Sequence, residues 1–279
     1  MSGLANQERT FLQQVLNQRM LICLCTGFAS GLPLYILFQL IPAWLRLEDV
    51  SLTAIGFFNA IQLPYVLKFL WAPLLERYSL PFLGRRRGWM LVMQVSLIFA
   101  IAALGWWKPS TELQVIVLIS IFIAIASATQ DVVLDAYRRE ILETEGELAL
   151  GNNLHVQAYR ISSLIPGSLG LFLVGIIDWH TNFVVMAAFM LVGLGLTMVV
   201  REPKLVAPPP GTLRDAVRLP FTEFFQRRKL APALAVLAFM VFYKLGDGMA
   251  TALATPFYLE MQFTTKQIAV IAKNAALWP

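Results

Sequence analysis

Residues 112–138 read ELQVIVLISIFIAIASATQDVVLDAYR, an apolar run that nevertheless carries Asp131 and Asp135 near its C-terminal end. A bilayer-spanning helix needs about 20 mostly apolar residues, and this stretch is long enough. A charge at lipid depth is costly unless it meets a partner or water, so lipid-facing positions do not keep one. The two acids therefore point to a polar path inside a bundle of helices. Four residues apart, they share one helix face and can look into one cavity.

The rest of the chain agrees with that stretch. Of 279 residues, 58% are hydrophobic and 14% charged, whereas a soluble domain carries roughly a quarter charged residues. Spanning-length runs fall at 20–45, 53–75, 89–107, 112–138, 153–177, 181–200 and 230–259, and an eighth begins near Ile268. The expected fold class is an all-α integral membrane bundle. The polar N-terminus and the long first run do not fit a signal peptide, whose apolar core is roughly 7–15 residues, so no cleavage is expected. Cys23 and Cys25 are too close in sequence for a structural disulfide and lack CxxC spacing, so they read as small apolar residues.

Basic residues alternate with the spans. Arg9 and Arg19 precede the first, Arg77 and Arg85–Arg87 follow the second, Arg138 and Arg139 follow the fourth, and a cluster from Arg201 to Lys229 follows the sixth. The positive-inside rule then puts the N-terminus and these loops in the cytoplasm. The net charge of +5 reports topology rather than nucleic-acid binding, since a soluble binder would not interleave its arginines with apolar spans. Pro208–Pro210 break any helix in the 201–229 linker. The following basic and Phe-containing segment reads equally as a membrane-surface helix or a solvated connector.

An internal repeat suggests two halves. Pro42-Ala-Trp44-Leu45 followed by Ser51-Leu-Thr-Ala-Ile55-Gly56 recurs as Pro256-Phe-Tyr258-Leu259 followed by Thr264-Thr-Lys-Gln-Ile268-Ala269. The seventh span reads as a copy of the first. The expected organisation is a six-helix half (1–200), a basic cytoplasmic linker (201–229) and the start of a second half (230–279). On this reading the chain is a fragment of a transporter built from two six-helix halves, unable to alternate by itself.

Four stretches carry a family resemblance: SGLPLYILFQLIPAWL (30–45), LPYVLKFLWAPLLERYSLPFLGRRRGW (63–89), TQDVVLDAYRREIL (129–142) and FYKLGDGMATALATPFYL (242–259). In this order they resemble the AmpG muropeptide permeases of the major facilitator superfamily. The resemblance implies a major facilitator-type bundle in the bacterial inner membrane. It also implies proton-driven import of anhydromuropeptides (GlcNAc-anhydroMurNAc-peptides) for peptidoglycan recycling and β-lactamase induction. The implied partners are that substrate, protons and membrane lipid, with no cofactor. Acetyl-CoA-type transporters are distant relatives and supply an alternative substrate; a non-transporting scaffold is a further alternative.

Around the second-to-third loop, Glu76-Arg77 and Gly84-Arg85-Arg86-Arg87 resemble the superfamily's loop signature, although Ala72 stands where that signature has Gly. An acid at a helix end and a basic turn can pair as a cytoplasmic gate latch; arginines that only anchor topology are the alternative. By depth, Lys68, Asp131 and Arg160 each lie seven or eight residues from the cytoplasmic ends, on the order of 10–12 Å into the membrane. Asp131 is the first candidate proton carrier, with Asp135 and Asp247 as further acids. A fixed ion pair of Asp131 with Arg160 or Lys68 is the equal reading. Arg160 can grip a substrate carboxylate through two hydrogen bonds, with Lys68 and Lys244 adding positive charge. Gln62, Gln130 and Gln157 suit sugar hydroxyls and acetamido groups. Tyr65, Tyr159 or Trp71 could stack on a sugar, although packing is the commoner role of such rings. Trp44, Trp106 and Trp107 read as an interfacial aromatic belt. Lys244-Leu-Gly-Asp247-Gly248 offers a pair on a glycine-loosened helix, and Lys273 adds a charge in the eighth span.

Enzyme readings lack their parts. An intramembrane aspartyl protease would need Gly where Lys244 stands, His155 and His180 form no HExxH zinc motif, and no Walker A sequence is present.

Overall fold

The computed structural model describes residues 16–80, 83–203, 222 and 230–272. Among the described residues, five helices are long and apolar enough to cross a membrane: Gln18–Leu47, Leu52–Leu70, Arg85–Leu104, Pro109–Ile141 and Trp179–Val199. They correspond to the first, second, third, fourth and sixth expected spans. Leu230–Glu260 forms the seventh, and Ile268–Ala272 opens the eighth.

The fifth span differs from the sequence expectation. Its helix begins earlier, at Glu145, runs to Ser162, passes through a wide turn at Ile165–Gly170 and ends at Leu173. Pro166 lacks the N–H that regular helical pairing needs, which accounts for the wide turn. Asn152, Asn153, Gln157 and Arg160 lie on its exposed side and lower its hydrophobicity. The fifth segment runs parallel to the first, and glycine makes their contact close. A Cβ at Gly27 would run into the His155 carbonyl oxygen, and one at Gly31 would fall 2.7 Å from that of Tyr159. Further along, Gly151 faces Cys23 and Gly170 faces Leu40. Gly27 and Gly31 thus form the small-xxx-small face that lets membrane helices touch backbone to backbone.

The second span is the least regular. It alternates α-helix with tighter turns at Asn59–Gln62 and Lys68–Leu70 before Ala72–Arg77. Pro64 and Pro73 each begin a new helical piece. Cys23 is buried, Cys25 is half-buried, and both are free thiols.

The internal repeat is written into the backbone. Glu48 N donates to Trp44 O and Met261 N to Phe257 O; Val50 N donates to Leu45 O and Phe263 N to Tyr258 O. Ile55 N donates to Ser51 O as Ile268 N does to Thr264 O, each pair 213 residues from its counterpart. Asp49 and Gln262 are both left-handed, with φ of 60° and 66°. Ser51 and Thr264 cap the next helix by accepting from Ala54 N and Gln267 N. This register makes Tyr258 the counterpart of Leu45, one residue off the alignment that pairs Pro42 with Pro256. The two elbows sit side by side: Arg46 and Glu260 pair at 3.5 Å, and Ile268 and Ala269 join the core of the first-half helices.

Trp44 belongs to that core rather than to an interfacial belt. It is fully buried against Trp179 and Phe183, with ring centroids 5.7 and 5.0 Å away. Trp106 is exposed and stacks on His180.

Candidate functional site

Asp131 is held from two neighbouring helices. Ser30 Oγ donates to its Oδ1 at 2.5 Å, and Lys68 Nζ lies 3.5 Å from its Oδ2. The Asp131 side chain is only 11% exposed, so the carboxylate sits largely out of solvent with one cation and one hydroxyl. Of the two fixed ion pairs expected, the structure makes the one with Lys68. Arg160 is exposed, and among the described residues it forms no ion pair.

Asp135 parts company with Asp131 despite the four-residue spacing. Its side chain is 51% exposed and pairs with Arg138 at 3.0 Å, one turn along the same helix. Gln130 is also not an open ligand. It is fully buried, and its Nε2 donates to the Ala29 carbonyl at 2.8 Å, which commits it to the contact between first and fourth spans. Gln62 is buried and Tyr65 is half-buried, its ring 6.2 Å from that of Phe38. Trp71 donates to Thr129 Oγ1 at 3.1 Å, and Tyr159 packs edge-on against Tyr35 at 5.4 Å. Both rings are thereby fixed as packing groups beside the site. Gln157 and Arg160 stay exposed on the polar side of the fifth segment, joined there by Asn152 and Asn153. The backbone around Lys244, Asp247 and Gly248 is helical, and their side chains lie outside the described residues, as do Lys273, Pro208–Pro210 and most of the linker.

At one end of the bundle, charges gather in number. Glu76 accepts from Arg85 at 3.1 Å and Arg86 at 2.7 Å, and Glu140 accepts from the same two arginines, each at 2.7 Å. Glu202 caps the third span by accepting from the backbone N–H groups of Arg86 (2.7 Å) and Arg87 (3.1 Å). A carboxylate there also meets the positive end of the helix dipole. Gly84 suits its φ of +98°, and a Cβ on it would crowd the capping Glu202, 2.8 Å from its Cδ. Arg87 donates to the carbonyls of Thr197 and Met198, so the basic turn is tied to the sixth span as well. Arg77 lies over the Tyr78 ring, 5.8 Å from its centroid. All these partners lie within residues 76–202, so the cluster binds elements of the first half to one another.

Sequence reading did not find Ser30, Glu140 or Glu202. The signal for Ser30 was weak, a hydroxyl within Ala29-Ser30-Gly31 that could equally be a small packing residue. Glu140 and Glu202 each stand beside an arginine, Arg139 and Arg201, so the local pattern suggested mixed surface charge. A second surface cluster was also unforeseen: Arg19 bridges Glu143 at 2.6 Å and Glu147 at 2.9 Å. Hydrogen bonds from the Glu143 backbone N–H and from Arg19 hold the Glu147 carboxyl below its ordinary range.

An apolar cavity of about 600 Å³ opens elsewhere, between the second and fourth spans, lined by residues such as Phe57, Phe58, Ile61, Val117 and Ile121. Its lining is almost wholly apolar and suits no hydrophilic solute.

Apolar helices of spanning length around a buried carboxylate–ammonium pair, with a polar helix face beside it, define a multi-pass membrane protein of transporter type. The chain belongs to the Major Facilitator Superfamily, whose family model matches residues 23–276. Within it, the chain is 39% identical over 261 residues to the anhydromuropeptide permease of Escherichia coli K12, covering 93% of this chain and 52% of that one. An uncharacterized protein of Haemophilus influenzae is 46% identical over 95% of this chain and 63% of its own. A putative transporter AmpG 4 of Rickettsia felis is 32% identical over 88% and 61%. The chain thus spans between about half and two thirds of the length of these curated relatives.

Proposed function

We propose that this chain forms the first six-helix half, the linker and the beginning of the second half of a proton-driven permease importing anhydromuropeptides across the bacterial inner membrane. The observation that carries the reading is Asp131, a nearly buried acid in a spanning helix, balanced between Lys68 and Ser30. The name printed for the Escherichia coli relative supplies the substrate class. Asp131 exchanges a proton, and Lys68 alternates between that carboxylate and the substrate path. Arg160 takes a substrate carboxylate, while Gln157 meets sugar or acetamido groups on the same exposed helix face. Asp135, Asp247 and Lys244 are secondary candidates for coupling and binding. The cluster of Glu76, Arg85 and Arg86, read from sequence as a gate latch, ties the first-half helices together at their cytoplasmic end, and the distribution of arginines supports a cytoplasmic N-terminus.

The test is uptake of a radiolabelled GlcNAc-anhydroMurNAc-peptide into right-side-out vesicles. The vesicles carry either this chain or the chain extended to the length of its relatives, with and without a proton uncoupler. Uncoupler-sensitive uptake supports the reading. Uptake by neither form overturns the substrate assignment and directs attention to acetyl-CoA-type solutes, offered as the next probe.

A further inference from the structure

Ser30 is placed to decide which oxygen of Asp131 takes a proton. It is itself 4% exposed, and its hydroxyl donates to Oδ1, leaving Oδ2 to Lys68. Two features fix it in space. Gly27 and Gly31, on either side of it, press the first span against the fifth, and Gln130 ties the neighbouring Ala29 carbonyl to the fourth span. Lys68 is held differently: it stands in the tight turn Lys68–Leu70, between two helical pieces of the least regular span. The other titratable groups close enough to act on the carboxylate through their charge are Tyr65 from the second span, Tyr159 from the fifth and Asp135 one turn along its own helix.

We infer that Ser30 is a positioning residue that couples protonation of Asp131 to release of Lys68, a deepening that rests on Asp131 as the proton-exchanging acid. With Oδ1 occupied by the donated Ser30 hydroxyl, an arriving proton bonds to Oδ2. The carboxylate becomes a neutral acid, Oδ1 remains an acceptor for Ser30, and the charge attraction that held the Lys68 ammonium is gone. The ammonium keeps its own proton and moves with the second span. Without Ser30, Oδ1 can accept the proton and a polar oxygen remains facing Lys68, so protonation no longer compels its departure.

The experiment uses the full-length permease in proteoliposomes, comparing Ser30→Ala, Ser30→Cys and Asp131→Asn. Two readouts are taken: substrate exchange at equal pH, which needs no net proton movement, and proton-driven uptake across a range of pH. Expected for Ser30→Ala is exchange within about twofold of the parent, with the alkaline limb of driven uptake displaced by about one pH unit. Fewer protons are also expected to move per substrate. Ser30→Cys, a weaker donor of similar size, should fall between the two. An unchanged pH profile and proton-to-substrate ratio in Ser30→Ala, with driven uptake lost in Asp131→Asn, overturns the role of Ser30 alone. Driven uptake retained in Asp131→Asn overturns the reading of Asp131 itself. Loss of exchange together with driven uptake in both Ser30 variants makes Ser30 a packing residue and also overturns the inference.

Discussion

Asp131 and Glu140 lie nine residues apart on one helix, and they are held in opposite ways. Glu140 receives three short hydrogen bonds from Arg85 and Arg86, all at Oε1, and Arg86 is shared further with Glu76. Asp131 has one hydroxyl and one ammonium, the latter at 3.5 Å. Arginine keeps its charge under all ordinary conditions and its planar fork fixes direction, whereas lysine is a point charge on a flexible stem. The first arrangement suits permanent structure and the second suits a partner that leaves. The difference separates charges that hold the bundle together from the charge to which the proposed proton exchange is assigned.

The largest effect expected of any substitution is on the mobile side of that comparison. Asp131→Asn should abolish uncoupler-sensitive uptake while leaving helix content unchanged, checked by vesicle transport and circular dichroism together. Next comes Glu140→Ala, which leaves the buried Arg86 with only Glu76. Removing one partner of a buried pair typically costs about 3–5 kcal/mol, and the surviving Glu76 should bring this to roughly 2 kcal/mol in a denaturation series. Should Asp131→Asn destabilise the bundle more than Glu140→Ala, the contrast between the two sites fails. Lys68→Met should alter stability by less than about 1 kcal/mol, because Asp131 can take up a proton once unpaired. Its proton-driven uptake should nevertheless fall.

Two smaller effects refine the picture at the surface. Glu147 carries a lowered folded-state pKa, so its contribution is complete above the ordinary carboxylate value, about 4.3, and is lost as pH falls through the folded value. A thermal-melt series in the parent and in Glu147→Gln should therefore converge only in acid. Arg46→Ala removes an exposed pair and should cost no more than about 0.5 kcal/mol, with the elbow backbone unchanged by hydrogen exchange.

Much of this was legible in the sequence, for physical reasons that can be named. Hydrophobic length located most spans because lipid demands it, and the depth argument brought Lys68 to Asp131 because helical rise is regular. Depth alone did not give azimuth, so Arg160, one of the two alternative partners read for Asp131, stays exposed with no ion pair among the described residues, and Gln130 was expected at a sugar although it donates to the Ala29 carbonyl. Asp135 shows the same limit: a shared helix face does not guarantee shared burial near a helix end. Trp44 looked interfacial from its place near the end of a span, but the neighbouring elbow and the sixth span cover it. The elbow repeat was visible as a short motif, and only the backbone hydrogen bonds fixed its register.

That repeat also counts. Two turns of the same hand that stand against each other, joined through Arg46 and Glu260, must lie on the same side of the bilayer. The intervening chain therefore makes an even number of crossings. The second, third, fourth and sixth spans with Leu230–Glu260 make five, and residues 201–229 contain no apolar run of spanning length. The sixth crossing falls to the fifth segment, over residues 153–173, whose beginning is its more polar part. Parity thus carries Asn153, Gln157 and Arg160 into the membrane on the side of the helix that the described residues leave exposed.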